Sequence, residues 1–315
     1  MHTFKGLSIL KLTSILLVIL SFSPNILKSQ IINDTTLQWV AYLLPKDTFV
    51  YHINQKHIKL KGTDTTTVLS YDYDLTLEVL DSAKSEFKIK GLYSNFNVVK
   101  ADPLTSEIIK AGEGLEVLYS TNNFGAFKEI LNAGQISDRI NKTYGQLDKK
   151  MGKDALAGKL IKGIMDQFAS KEGIEAHGID EIQFLHTGIG YQYVLGKDYE
   201  EDYQTKGFFT HQKIDAIRTF RLLEMDSIEK TGMIKVTTDF DSNQMRNETI
   251  QWLKSSLKKE EQLTFKEDTV PPMFVQSRLV NLFHYDYGWS LYAYHIKETE
   301  AGDSITQEIT EIALK

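Results

Sequence analysis

The sequence predicts an α+β domain built on an antiparallel sheet that could curve into a half-barrel, with a central helical block covering one of its faces. Two observations predict this class. Several segments alternate between apolar and polar residues, as strands do when one face is buried and the other is solvated. Between them lies a stretch in which apolar residues recur every three or four positions, as in amphipathic helices.

One domain is expected over residues 30–315, after an export segment at 1–29. We place strands at about 36–120, helices at about 125–187, strands at about 205–240, a helix at about 242–258 and strands at about 275–314. A chain of this length buries roughly three quarters of its unfolded surface, which is enough to hold a core together.

The first 29 residues have the pattern of a cleavable secretory signal peptide, with a basic start and an apolar run over Leu12–Phe22. That run is shorter than the ~20 residues that span a membrane. We expect cleavage between Ser29 and Gln30, because a cut after Ser23 would place Pro24 next to the scissile bond. The alternative is an uncleaved N-terminal anchor.

Composition restricts the classes of partner and chemistry. The chain carries 36 Lys and Arg against 42 Asp and Glu, and the export segment holds three of those lysines and no acidic residue. This acidic balance disfavours phosphate binding, so no nucleic-acid partner is expected. No later stretch is long and apolar enough to predict a transmembrane segment in the mature chain. The absence of cysteine excludes disulfides, iron–sulfur clusters and thiol nucleophiles.

The first strands are predicted from alternation. One face of the clearest strand would carry Tyr71, Tyr73, Leu75, Leu77 and Val79. A turn at residues 81–85 leads to Phe87, Ile89 and Tyr93, which completes a hairpin. Thr48–Ile53 and Leu115–Tyr119 are predicted as further strands.

The helical block follows. The first stripe is Ile136, Ile140, Tyr144, Leu147 and Met151, and the second, with Asp154 as N-cap, is Leu156, Leu160, Ile161, Ile164 and Phe168. A weaker third helix would carry Ile174, Ile182 and Leu185. The block is locally basic, which indicates either a solvated outer face or a docking surface for an acidic partner.

Alternation resumes at Ile234, Val236, Thr238 and Phe240. Asp241 or Ser242 could then cap a helix whose stripe is Met245, Thr249, Trp252, Leu253 and Leu257. The closing strands are Leu279–Tyr285, Trp289–Ile296 and Ser304–Leu314, with a Gly302-Asp303 turn between the last two.

No catalytic, metal-binding or cofactor-binding residue is predicted. The run from His186 to Tyr193 begins like a dinucleotide fingerprint but lacks its third glycine, and no histidine pair has the spacing of a zinc hydrolase. Glu200-Glu201-Asp202 is predicted to be a solvated turn. A hydrolase with unrecognised carboxylate or Ser/His chemistry is the alternative to a non-enzymatic protein.

Aromatic residues crowd the hairpin near the end of the chain. Tyr287 and Trp289 are predicted on one face, and Tyr292 and Tyr294 on the other. A sheet face of flat rings could bind an apolar or sugar-like ligand, so these four are the candidate ligand-binding residues. The alternative is ordinary strand composition.

The segment ending in Lys28-Ser29-Gln30, the strand-turn-helix run Gly114–Gly125 and the closing Gly288-Trp289 hairpin resemble exported proteins of the Bacteroidota. In architecture the chain also looks like half-barrel lipoprotein carriers, whose sheet is closed by helices over an apolar cavity. These resemblances imply no functional residue.

The function expected from the sequence is therefore that of an exported protein located in the periplasm, at the cell surface or outside the cell. It would bind an apolar small molecule or a cell-envelope protein without catalysis. A motif-free periplasmic hydrolase and a structural component of an envelope complex are the alternatives.

Overall fold

The computed structural model describes residues 31–83, 86–151, 165–166, 168–207, 212–257 and 264–315. Its strands are β1 (Ile31–Asn33), β2 (Thr36–Gln38), β3 (Thr48–Lys61), β4 (Asp64–Ala83), β5 (Glu86–Lys100), β6 (Glu116–Asn122), β7 (Phe127–Ile130), β8 (Gln192–Val194), β9 (Asp198–Lys206), β10 (Lys213–Asp226), β11 (Thr231–Phe240), β12 (Met273–His284), β13 (Ser290–Ala301) and β14 (Ser304–Leu314). Its α-helices are α1 (Pro103–Lys110), α2 (Ala133–Met151), α3 (Lys171–His177), α4 (Asp180–His186) and α5 (Ser242–Ser256). The export segment lies outside the described residues.

Eleven strands form one open antiparallel sheet in the order β7-β6-β5-β4-β3-β14-β13-β12-β11-β10-β9. Neighbouring strands in this order are joined by antiparallel ladders, so two meanders meet where β3 pairs with β14. A small sheet of order β1-β2-β8 lies beside it. The α+β prediction is confirmed. None of the helices in the described ranges is long and apolar enough to span a lipid bilayer.

The predicted alternation in the first meander is confirmed. Tyr73, Leu75, Leu77 and Val79 are buried, and they join Tyr51, Ile53 and Tyr119 in the main core. Two short elements were missed. Asp102 caps α1, and Pro103 occupies its first turn, inside the region predicted to be all strand. The run Gly114–Gly125 leads from β6 through a turn into strand β7, not into a helix.

After strand β7, the helical block differs from its prediction at the third helix. Helix α2 buries Ile136 and Tyr144 as predicted. The second predicted helix falls mainly on residues 152–164, outside the described ranges. The weaker third helix is two helices, α3 and α4, which both face the core. They are separated at Gly178, where a side-chain Cβ would come within 2.6 Å of the Phe168 ring.

Helix α5 begins where predicted, with the Asp241 side chain accepting a hydrogen bond from the Gln244 backbone N–H at 2.8 Å. The predicted apolar stripe is only half-buried, and one of its members, Trp252, faces solvent. The buried side chains are Glu248 and Ile250, whereas Trp252 is 39% exposed. Periodicity finds an apolar stripe, but the stripe does not determine which side of the helix the rest of the chain covers.

The acidic segment Glu200-Glu201-Asp202 was predicted to be a turn, but it belongs to the edge strand β9. Its residues pair with β10, and Glu201 lies 3.3 Å from the Arg218 guanidinium. Cross-strand ion pairs of this kind stabilise an exposed edge strand despite its polar composition.

Candidate functional site

A cavity of about 320 Å³ lies between the inner face of the first meander and the helices above it. The sheet, with the residue that precedes β6, contributes Tyr71, Tyr73, Tyr93, Phe96, Leu115 and Val117 to its wall. The helices and their connections contribute Ile108, Ile109, Ala111, Gly112, Ile136, Arg139, Ile140, Thr143, Tyr144, Phe168, Ile174, His177, Gly178, Ile179 and Glu181. The wall is therefore mainly aliphatic and aromatic.

An irregularity in β5 turns an aromatic ring into the cavity. The β4–β5 register shifts between Asp72 and Asp74, and Asn95 opposite this point has a φ of 60°. The backbone N–H groups of Asn95 and Phe96 donate to the Glu113 carboxylate at 3.2 and 3.1 Å. The Phe96 ring then stacks on Tyr73, with centroids 4.6 Å apart. Bulges of this kind commonly re-aim side chains.

Glu181 is the polar centre of the cavity. It is only 8% exposed, although it lies in the first turn of α4. Its Oε1 accepts hydrogen bonds from the Tyr73 hydroxyl at 2.5 Å and from Gln55 Nε2 at 2.7 Å. Its Oε2 has the Tyr93 hydroxyl at 3.5 Å. Helix α4 thus carries a carboxyl group into a wall of tyrosines.

Burial raises the pKa of Glu181, and the hydrogen bonds it accepts oppose that rise. Burial and the charge of Glu181 raise the pKa values of Tyr73 and Tyr93 well above the usual range, so both phenols stay protonated donors. Solvent reaches the Asp180 side chain, yet the surrounding protein and adjacent Glu181 raise its pKa to about 7. Burial thus opposes ionisation of Glu181 and its hydrogen-bond donors favour it, whereas Asp180 is exposed and does not line the cavity.

The candidate aromatic residues are not brought together. Tyr287 lies in the β12–β13 turn and is 63% exposed, whereas Trp289 is 5% exposed and packs on Phe49 in the core. Tyr292 and Tyr294 are half-buried, and the Tyr292 hydroxyl donates to Glu311 at 2.9 Å. None of the four lines the cavity. Ligand binding by these residues stays a prediction.

Two buried histidines, His186 and His295, contact other residues of the fold and do not line the cavity. The Nδ1 of His186 lies 2.7 Å from the Gly125 carbonyl, so it donates there, and its Nε2 accepts from the Tyr119 hydroxyl at 3.0 Å. Burial lowers the pKa of His186 to about 4 and that of His295 to about 3. The described residues contain no group of three or more metal-ligating side chains.

Among the described residues, the hydrolase alternative is represented by a hydrogen-bonded Ser/His pair. Ser277 Oγ lies 2.7 Å from His295 Nε2, and the His295 ring stacks on Phe184. A general base works best when its pKa is near the working pH, and the low pKa of His295 makes it a weak base at neutral pH. Neither residue lines the cavity.

The residues of the cavity were missed for an identifiable reason. The sequence placed Tyr73 and Tyr93 on the inner face of the sheet, but they were interpreted as core residues and not as residues that line a cavity. Glu181 stands four residues before the core residue Leu185, so on a helix both share one face. The available signal was a carboxylate on the buried face of a predicted helix. The sequence around Gln55 contains no comparable signal.

No protein-family model matches this chain, and no curated protein matches it. A structure of lipid–protein interactions in lipovitellin is similar with a TM-score of 0.40 and 9% identity, over 87% of this chain and 25% of that one. This chain thus spans about a quarter of that protein's length. A "putative lipoprotein" from Parabacteroides distasonis has a TM-score of 0.27 and 8% identity, over 88% of this chain and 100% of that one. Neither similarity is high enough to assign a function.

Proposed function

We propose that this chain is an exported, non-enzymatic protein that binds an apolar small molecule in the cavity between the first meander and helices α1–α4. The observation that carries the proposal is the composition of the cavity wall, which is aliphatic and aromatic around one buried carboxyl group. Small-molecule sites are typically clefts of about 300–1,000 Å³ with apolar walls and a few convergent polar groups.

The aromatic part of the wall favours an apolar ligand. Tyr73 stacks on Phe96 and lies near both Tyr71 and Tyr93, with ring centroids 6.0 and 5.8 Å away. Such rings offer a large contact area at little conformational cost, and their hydroxyl groups supply orientation. Export is supported by the apolar run at Leu12–Phe22 and its basic start.

The test is a fluorescence titration with N-phenyl-1-naphthylamine, a neutral apolar probe, on the protein and on Ala111→Phe. Ala111 follows α1 and lines the cavity, so a phenyl ring there would occupy ligand volume. We expect the affinity for the probe to fall at least tenfold.

The matched control is Ala301→Phe, which adds the same ring at the end of β13, away from the cavity wall. Its affinity for the probe should stay within twofold of that of the unmodified chain. Thermal unfolding must show that both variants fold. Equal affinities in both variants, or no probe binding by the unmodified chain, would contradict the proposal.

A further inference from the structure

Within the described part of the cavity wall, Glu181 supplies the only carboxyl group. Its two oxygens are not equally satisfied. Oε1 has two close side-chain donors, whereas the side-chain donor nearest to Oε2 among the described residues is the Tyr93 hydroxyl at 3.5 Å. That distance is longer than the 2.5–3.0 Å of an ordinary O–H···O hydrogen bond. Glu181 Oε2 and the Tyr93 hydroxyl therefore have hydrogen-bonding capacity left at the polar end of the cavity.

We propose that the cavity selects an amphipathic ligand whose uncharged end group both donates and accepts hydrogen bonds, as an alcohol does. The hydroxyl would donate to Glu181 Oε2 and accept from the Tyr93 hydroxyl, while the alkyl or ring portion lies against the apolar wall. This inference rests on the proposed function, since it assigns the ligand class of the same cavity.

A carboxylate end group fits this place poorly. It can only accept hydrogen bonds, so it offers nothing to Oε2 of the ionised Glu181 carboxylate, whose Oε1 already accepts from two donors. It would also add a negative charge beside Glu181 and its neighbour Asp180. Burial already raises the pKa of Glu181, and a second anion beside it would raise that pKa further. The same repulsion lowers the affinity of the cavity for an anionic ligand.

The basic side chain in the wall does not reverse this preference. Arg139 is exposed, and its guanidinium donates to the carbonyls of Gly114, at 2.9 Å, and Glu113. Its charge is therefore screened by water and held at the loop after α1. No lysine lines the described part of the cavity.

The experiment displaces bound N-phenyl-1-naphthylamine at neutral pH with decanol, decanoate or decylamine, which share one chain length. We expect decanol to compete at least tenfold better than decanoate. Glu181→Gln keeps the shape and the acceptor for Tyr73 but removes the charge, so it should bring decanoate within threefold of decanol. Tyr93→Phe should weaken decanol about tenfold, because the ligand hydroxyl loses its donor.

Arg139→Gln is the control at the arginine of the wall, and it should leave the order of the three competitors unchanged. The inference would be overturned if decanoate bound as tightly as decanol and if Arg139→Gln abolished that binding. This result would place the polar end of the ligand at Arg139. Decylamine competing better than decanol would overturn the uncharged end group. In either case the probe still binds, so the proposed function survives. A chain that does not bind the probe overturns both proposals.

Discussion

Gly288 has a backbone conformation and surroundings that only glycine tolerates. Its φ is 72°, and a Cβ there would lie 1.9 Å from the Val40 carbonyl oxygen and 2.4 Å from Ala41 Cα. Its own carbonyl accepts a hydrogen bond from Trp39 Nε1 at 2.9 Å. The β12–β13 turn is therefore pressed against the buried chain segment that crosses the end of the sheet.

We expect Gly288→Ala to lower the free energy of unfolding by about 3 kcal/mol or more, because the obstructing atoms are backbone and cannot rotate away. The control is Gly62→Ala in the β3–β4 turn, where φ is 59° and nothing lies within 4 Å of the added Cβ. That change should cost about 1 kcal/mol, the penalty of left-handed backbone alone. Urea unfolding measures both, and equal losses would show that the contact with Val40 is unimportant.

Asp74 lies on the face of β4 that alternation predicted to be polar, yet it is only 7% exposed. Burial by itself would raise its pKa. Hydrogen bonds from Lys315 at 2.7 Å, Asn95 at 2.8 Å and His52 at 3.0 Å outweigh that effect and lower the pKa to about 2. Asn95, which lies at the irregularity in β5, thus also holds the Asp74 carboxylate on the opposite face of the sheet.

At the level of elements, α1 and α5 begin in the same way but pack in different places. The Asp102 side chain accepts from the Thr105 N–H at 3.0 Å, and that of Asp241 accepts from the Gln244 N–H at 2.8 Å. Helix α1 and the loop after it line the cavity, whereas α5 packs on β10 and β12 away from it.

Asp102→Ala and Asp241→Ala should each lower the free energy of unfolding by about 0.5–2 kcal/mol, because an N-cap is lost in both. Only Asp102→Ala should also weaken binding of N-phenyl-1-naphthylamine, by roughly threefold to tenfold, since it loosens a wall of the cavity. Thermal unfolding and probe titration measured on the same samples separate the two effects. Weaker probe binding by the α5 variant would place the probe elsewhere.

At the level of the whole molecule, β3 and β14 unite two meanders that are far apart in sequence. Their ladder is continuous from Lys61 and Ser304 to Tyr51 and Leu314. The core follows the same route, since one apolar cluster includes side chains from both meanders, such as Tyr51, Leu75 and Phe283.

We therefore expect the two meanders to unfold in one cooperative transition, as a single domain would. Far-ultraviolet circular dichroism would follow the sheet, and tryptophan fluorescence would follow Trp39 and Trp289, which are buried in the core. The two urea curves should coincide. Separate midpoints would show that the meanders are independent units and would contradict the single domain predicted over residues 30–315.

Much of the local structure could be predicted from the sequence. Alternation located the inner face of β4, and the spacing from Ile136 to Tyr144 located α2. Both patterns could be recognised because each depends only on residues close together in the sequence. Helix α1 and strand β7 were missed because elements of 8 and 4 residues are too short to show a period. The sequence did not show that α5 buries Glu248 and Ile250 and exposes Trp252, because the surface that covers this helix comes from distant strands.

The sequence by itself determined the antiparallel character of the sheet and which faces of its clearest strands are apolar. Only the tertiary structure decided that β14 pairs with β3 and that Gln55, Tyr73 and Glu181 meet around one carboxyl group. Gln55 contacts both Glu181, 126 positions away, and Thr310, 255 positions away. Periodicity records which side of an element is buried, whereas the partner on that side is selected by the packing of the whole chain.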